Sequence, residues 1–484
     1  MTTRMLRMTA AVSGELAAAF AAIRTRLAVP DAFPADVLAE ANQRAAHPAL
    51  PAEDLTAMPF ITIDPHGSTD LDQAVHLARA PHGYTVHYAI ADVPAFVVPG
   101  GALDAETRRR GQTLYAPDGR IPLHPQVISE DAASLLPGVV RGAYVWEFNL
   151  DEDAREIATR MRRARIRSIR QATYDQVQHE IDAGTAEGTV ALLAEIGPKR
   201  IALERERGGA SLARPSQEIT EQDGHYRLVR RGSVPAEEWN AQISLLTGMA
   251  AARIMERGGV GIVRTMPAPS EQTVEKFRVK TRALGAAWPE SLTYGEYLKT
   301  LDPRIPHHLS VIYAAATLFR GAGYTVIDAD THEVPIQAAL GVPYAHATAP
   351  LRRLVDRYVL AACEALLAGS SVPTWVIEGL PELPALMAAS SATASALSSA
   401  TIAAAEAAVL SGCEGDLFEA IVVSARAGSG TVQLEEPAVT ADCDGPLTPG
   451  DRVQVILREA TIATGTVRFE LAHPTHPEHL EENR

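Results

Sequence analysis

The stretch from Phe60 to Ala74, F-I-T-I-D-P-H-G-S-T-D-L-D-Q-A, constrains this chain more than any other. Phe60-Ile61-Thr62-Ile63 is a short β-favouring run, and Pro65 with Gly67 ends it, so Asp64 is expected where a strand gives way to a loop. Ala74 to Ala78 reads as the next strand, Pro81-His82-Gly83 as a turn and Tyr84 to Val93 as the returning strand. The loop therefore carries three carboxylates, Asp64, Asp70 and Asp72, within nine residues, and a hairpin about the turn returns Asp92 to their side as a fourth.

Carboxylates a few ångströms apart raise one another's pKa unless a cation neutralises them. Magnesium is the simplest choice. It prefers oxygen ligands, keeps several waters and usually takes only one or two carboxylates plus substrate phosphates, and manganese is a natural substitute. Two such ions roughly 4 Å apart activate a water and stabilise the leaving oxygen in phosphodiester cleavage, so phosphoryl chemistry is the reaction the loop suggests. On spacing alone a solvated acidic turn competes with a metal site. The calcium loop of paired-helix sensors, with its Gly and late Glu, is absent.

Composition narrows the class. At 484 residues and 46% hydrophobic content the chain supports about three cored domains. No apolar run is expected to reach the roughly 18 residues of a membrane span, and Glu15 and Arg24 interrupt the Ala-rich start, against a signal peptide. Cys363, Cys413 and Cys443 are widely spaced without metal-type pairing, which fits a reducing cytoplasm. A net charge of −15 argues against a basic coat for duplex DNA. Yet seven arginines fall between Arg155 and Arg170, with further clusters at Arg108-Arg109-Arg110 and Arg352-Arg353. An acidic exterior around a basic groove reconciles the two, and so do ion pairs on solvated faces.

Along the chain, helices are expected over Gly14–Ala28 and Pro34–Ala46, where Leu16, Phe20, Ile23 and Leu27 recur at helical spacing. Helical spacing through Arg110 leads to a turn at Pro117-Asp118-Gly119. Strands follow at Tyr144–Leu150 and Glu156–Ile169, then helices at Thr173–Ala183 and Ala236–Met255, the latter with Trp239, Ile243 and Leu246 on one face and Asn240 and Gln242 off it. In P-Y-A-H-A-T-A-P-L-R-R-L-V-D-R-Y, from Pro343 to Tyr358, Pro350 fits the first turn of a helix, so Arg352 projects near that helix's start. Its planar, always-charged fork suits phosphate oxygens. Leu383–Leu410 is an Ala- and Ser-rich helix, and the short β runs Leu417–Ser424, Thr431–Leu434, Val453–Leu457 and Thr466–Leu471 form a small barrel of the oligonucleotide-binding type.

Three strings, I-D-P-H-G-S-T-D-L-D-Q-A, the run from Leu103 to Gly138 and Pro343–Tyr358, resemble the ribonuclease II and ribonuclease R family. That family's catalytic domain carries Asp, five residues, Asp, one residue and two adjacent Asp. Asp64, Asp70 and Asp72 match, and Gln73 departs: an amide oxygen coordinates magnesium but brings no charge. The resemblance implies an α+β chain in three parts. These are a helical N-terminal segment (1–55), an RNB catalytic domain of mixed sheet and surrounding helices (56–411) and an OB-type barrel (412–484). The first part is too short for the family's usual N-terminal barrels, and both a helix-turn-helix-like RNA guide and a plain packing cap remain open for it.

The resemblance also implies roles. Asp64, Asp70, Asp72 and Gln73 hold magnesium, Asp72 and Arg352 carry catalysis, and Asp92 supports from behind. Tyr115, Tyr174, Arg353 and His346 face RNA, Tyr115 by stacking on the nucleotide, although a buried strand tyrosine and a loop-filling histidine are the plain readings of Tyr115 and His346. The implied activity is hydrolysis of single-stranded RNA from the 3′ end by a monomer with no membrane partner, releasing nucleoside 5′-monophosphates. Two other readings stand beside it: an RNA-binding protein weakened in catalysis at Gln73, and a hydrolase of single-stranded DNA or oligonucleotides.

Overall fold

A mixed sheet frames the functional half of the chain. The computed structural model describes residues 10–472 apart from 211–215, 223–224, 232 and 435. Positions 1–9 and 473–484 of the two terminal domains read from sequence therefore lie outside the described residues. The strands are β1 (Glu53–Asp54), β2 (Phe60–Asp64), β3 (Gln73–Ala80), β4 (Gly83–Ala91), a small hairpin of β5 (Leu114–Ala116) and β6 (Gly119–Ile121), β7 (Val140–Leu150) and β8 (Glu156–Thr173). The sheet order is β1-β8-β2-β3-β4-β7. β3 and β4 form the expected hairpin, with Ala80 opposite Gly83 across Pro81-His82. Gly83 has φ +130°, and a Cβ there would lie 2.1 Å from the Leu150 carbonyl oxygen, so only glycine fits.

β8 bends the sheet back on itself. Its first part runs antiparallel to β7 and its last six residues run parallel to β2. A segment this rich in arginine forms a strand because it alternates: Ala164, Ile166 and Ser168 point inward while Arg163, Arg165 and Arg167 point away. Five of the seven arginines between Arg155 and Arg170 are engaged in ion pairs. Arg155, Arg162, Arg163, Arg165 and Arg170 pair with Glu206, Glu147, Asp92, Asp54 and Glu180 respectively.

Helices alternate with these strands along the chain. α1 (Ala10–Arg26), α2 (Ala35–Ala46) and α3 (Ala102–Arg110) precede β7, and α4 (Tyr174–Asp182) and α5 (Gly188–Glu206) follow β8. After the hairpin of β9 (Ser216–Gln222) and β10 (His225–Arg231) comes α6 (Pro235–Gly258), which starts on Pro235 and stops at Gly259 in the left-handed conformation. It buries Ile243, Leu246, Ala250 and Ala251. Asn240 and Gln242 are buried too, the first reaching the Tyr174 hydroxyl at 3.5 Å and the second donating to Glu204 at 2.7 Å.

The remaining elements are β11 (Gly261–Thr265), α7 (Glu271–Ala283), α8 (Tyr294–Lys299), α9 (Pro306–Ala315), β12 (Gly323–Ile327), α10 (Leu354–Leu367), α11 (Thr374–Gly379) and α12 (Leu383–Leu410). A closed barrel of β13 (Leu417–Arg426), β14 (Ser429–Leu434), β15 (Thr440–Asp444), β16 (Arg452–Thr461) and β17 (Thr466–Leu471) ends the described chain. β15 is the strand the sequence pattern misses. T-A-D-C-D interleaves acids with only two buried residues, Ala441 and Cys443, so no apolar run announces it.

Thr374–Leu410 is apolar and long enough by composition to cross a membrane, contrary to the sequence expectation. Alanine supplies that character, and the helix is put to use in packing: Leu397, Ala404, Ala408 and Leu410 share one cluster with Leu16, Phe20 and Ile23 of α1 and with Val422, Val455 and Phe469 of the barrel. Val37 and Ala41 of α2 join Phe60, Leu103 and Val145 in another. The buried apolar residues of the two N-terminal helices are thus spent on packing.

Candidate active site

The acid loop hangs between β2 and β3 and is pinned at several points. Ser134, fully buried, donates from Oγ to the Thr69 carbonyl at 2.7 Å and accepts from the Leu71 amide at 2.9 Å. Gln171 of β8 donates to the Ser68 carbonyl at 2.9 Å, and Leu135 donates to Leu71 at 3.0 Å. Asp64 stands at the end of β2 opposite Thr173, where β8 hands over to α4 through a capping box of Thr173 and Gln176. That cap places Tyr174 beside the acids.

Asp72 anchors a second segment. Its Oδ1 accepts from the Leu351 amide at 2.7 Å, and its Oδ2 lies 3.4 Å from Arg352 Nε. Arg352 belongs to a turn and not to a helix: its amide returns to the Ala349 carbonyl at 3.2 Å, and α10 begins only at Leu354. The sequence places the helix too early because the Arg352 carbonyl accepts from Thr113 and Arg353 bridges to Gln112, which holds the backbone extended. This frees the Arg352 guanidinium, which is 45% exposed over the acids.

Asp70 takes a different partner. Arg120, from the β5–β6 hairpin, binds Asp70 at 2.6 Å and Glu130 at 2.9 Å. Sequence reasoning passes over Arg120 and Ser134, since a single Arg after a turn and a Ser in an apolar string carry no spacing signal. Tyr115, opposite Arg120 across the same hairpin, points its hydroxyl at Asp70 from 3.5 Å and leaves its ring 52% exposed. A ring so exposed at the mouth of the site offers a stacking face, which a core tyrosine would not.

Electrostatics unites the group. Burial pushes the Asp64 carboxyl up to about 7 and that of Asp72 well above its usual range; Arg352 opposes the rise in both, and Asp70 reinforces it. Arg352 also lies within electrostatic reach of Tyr115 and Tyr174. Six residues singled out from the sequence therefore converge: Asp64, Asp70, Asp72, Tyr115, Tyr174 and Arg352.

Four others stand elsewhere. Gln73 is engaged on both ends of its amide, donating to the Thr348 carbonyl at 2.7 Å while its oxygen accepts from the Tyr88 hydroxyl and faces Ser244 Oγ at 3.4 Å. Asp92 neighbours Asp72 only through backbone, where the Ala91 amide meets the Asp72 carbonyl at 2.9 Å. Its carboxylate turns to Arg163 at 3.0 Å, away from the acids. Arg353 makes a two-pronged pair with Asp356, at 2.8 and 2.9 Å. His346 hydrogen-bonds the Tyr324 hydroxyl at 2.7 Å and packs edge-on to Tyr344, and burial drives its pKa far down, so the ring is neutral and fills the loop.

The donor set suits a hard divalent cation. Asp64 Oδ2 is buried without a hydrogen-bond partner among the described residues, and Asp64 and Asp72 are carboxylates whose ionisation burial opposes. Among the described residues no three His, Cys, Asp or Glu side chains close into one ready-made group. Arg120 and Arg352 lie against Asp70 and Asp72 instead. An incomplete protein set is what magnesium uses, since waters and substrate phosphates finish its shell.

Sheet, acid loop, arginine turn and terminal barrel together define a mixed α/β domain that carries an acid–arginine site, followed by a closed five-stranded barrel of the S1 type. The chain belongs to the RNB-domain family, whose signature spans residues 52–369, and residues 416–472 match the RNase II-type exonuclease C-terminal S1 domain. It is similar to the human exosome complex exonuclease RRP44, 28% identical over 325 residues that make up 63% of this chain and 33% of that protein. Ribonuclease R of Escherichia coli is 28% identical over 335 residues, 65% of this chain and 40% of the relative. This chain thus spans well under half the length of these two relatives. In structure it is similar to Mycoplasma genitalium RNase R solved with ribose-methylated single-stranded RNA, with TM-score 0.84 and 18% identity over 95% of this chain and 78% of the other. Yeast Ssd1, described as a pseudonuclease, shares the fold at TM-score 0.66 and 16% identity, over 85% of this chain and 54% of its own.

Proposed function

We propose that this protein is a magnesium-dependent exoribonuclease that hydrolyses single-stranded RNA from the 3′ end and releases nucleoside 5′-monophosphates, acting as a monomer in the cytoplasm. The observation that carries the reading is that Asp64 and Asp72 share the exposed guanidinium of Arg352 while Asp70, held by Arg120, adds its charge to both. Asp64 and Asp72, with Asp70 once Arg120 lets go, would hold the ion. The chemistry a magnesium ion supplies there is acidification of a water and neutralisation of phosphate charge.

The chain's own groups supply the rest. Arg352 stands where a phosphate approaching the acids meets a planar fork able to bind two of its oxygens and to stabilise charge that develops on them. Tyr115 offers its face to the terminal base, and Tyr174 lies within electrostatic reach of Asp64. Recognition through stacking and backbone contacts requires unstacked bases, which a single strand offers and a duplex does not.

Asp72→Asn tests the reading. It keeps the acceptor for the Leu351 amide while removing the charge that faces Arg352, so cleavage of a 5′-labelled RNA should fall below detection with RNA binding retained. Undiminished turnover would remove Asp72 from the reaction. Matched RNA and DNA strands, assayed with the wild-type chain, decide the substrate class.

A further inference from the structure

Away from the acid loop lies a cavity of about 370 Å³, bounded by α5, α6, the start of β8 and the loop through Val342 and Pro343. Four arginines line it. Two are neutralised: Arg155 reaches Glu206 at 2.7 Å, and Arg253 pairs with Glu156. The other two make no ion pair among the described residues, and only the longer-range fields of Glu156 on Arg200 and of Glu204 and Glu206 on Arg207 offset their charge. Arg200 is only 3% exposed, gives one N–H to the Ala154 carbonyl at 3.0 Å and leaves its Nε without a hydrogen-bond partner among the described residues. Arg207 leaves both Nε and Nη2 buried and without a hydrogen-bond partner among the described residues.

Burial first, and then the charge of Arg207, presses the pKa of Arg200 down to about 10, so it remains a cation at neutral pH. A buried guanidinium with idle donors beside a second cation is costly unless an anion joins them. Phosphate matches that need, with several acceptor oxygens for a rigid fork of donors. The space exceeds what one phosphate fills and falls in the range of small-molecule pockets, and Leu203, Met249 and Val342 give it an apolar wall.

We propose that this cavity binds a small phosphomonoester of nucleotide size, its phosphate between Arg200 and Arg207 and its body against the apolar wall. The site is separate from the acids. Glu156, which lines it, opens β8, whereas Thr173 closes that strand opposite Asp64. Arg253 lies nine residues beyond Ser244 on α6, roughly 14 Å along the axis. The proposal does not rest on the activity proposed above.

Calorimetric titration of the full chain tests it, in EDTA at constant ionic strength, with inorganic phosphate, ribose 5-phosphate and adenosine 5′-monophosphate in turn. Saturable binding is expected for all three, tightest for the nucleotide. Arg207→Gln should weaken each by about tenfold or more, the size of a lost charge-assisted hydrogen bond. Arg200→Gln should do the same, and the less buried Arg207 variant decides the matter if Arg200→Gln fails to fold. Arg458→Gln, on the exposed surface of the barrel, should leave the affinities unchanged. Absence of saturable binding, wild-type affinity in Arg207→Gln, or an equal loss in Arg458→Gln would each overturn the assignment.

Discussion

Asp64 shows how one carboxylate can tie stability to pH. Its pKa sits at about 7 in the folded chain because burial penalises the anion, against roughly 4 when unfolded. Between those values the native state holds the extra proton, so without a cation stability falls as pH rises through that window. In EDTA, thermal unfolding at pH 8 should therefore come at a lower temperature than at pH 5, and added magnesium should restore the loss at pH 8 alone. Asp64→Asn should reduce the difference, with Asp72, whose carboxyl burial also raises, keeping a remainder; an unchanged slope in that variant would assign it to other groups. Gln73 makes the second case. Sequence places it among the ligands by position, whereas its amide bridges Thr348, Tyr88 and the neighbourhood of Ser244. Gln73→Glu exchanges the donor facing the Thr348 carbonyl for an acceptor, and urea unfolding should register a loss of about 1–3 kcal/mol.

At the scale of elements, the arginine turn depends on a gap in α6. Gly248 lets Tyr344 and Ala345 close on the helix, and the Ala345 amide donates to the Gly248 carbonyl at 3.0 Å. A Cβ at Gly248 would lie 2.1 Å from the Tyr344 ring and 2.5 Å from the Ala345 carbonyl oxygen, neither the end of a flexible chain. Gly248→Ala should push the loop away, cost about 1–3 kcal/mol and lower turnover more than RNA affinity. Equal turnover would mean that Arg352 does not depend on this contact. Nothing in L-T-G-M-A marks the glycine, because the atoms that require it come from a segment almost a hundred residues later. The β3–β4 hairpin and α12 were legible for the opposite reason: strand alternation, a two-residue turn and an unbroken Ala-rich run are all local signals.

Across the whole molecule, α1, α12 and the barrel share one apolar cluster, so the barrel is not an independent appendage. Phe20→Ala, at a fully buried position, should cost about 3–5 kcal/mol. Unfolding of the variant should remain a single transition, with barrel and α12 probes shifting together; two separated transitions would show that the shared cluster does not couple them.

The sequence by itself determined the acid loop, the two strands that flank it, the string that carries Arg352 and all but one strand of the barrel, since each is written in short-range pattern or in a motif of fixed spacing. Only the tertiary structure decided which way the polar side chains face. It turned Asp92 to Arg163 and Arg353 to Asp356, and it brought Arg120 and Ser134 onto the acid loop. A carboxylate or guanidinium takes whichever partner the folded backbone brings within about 3 Å, and those partners come from distant parts of the chain.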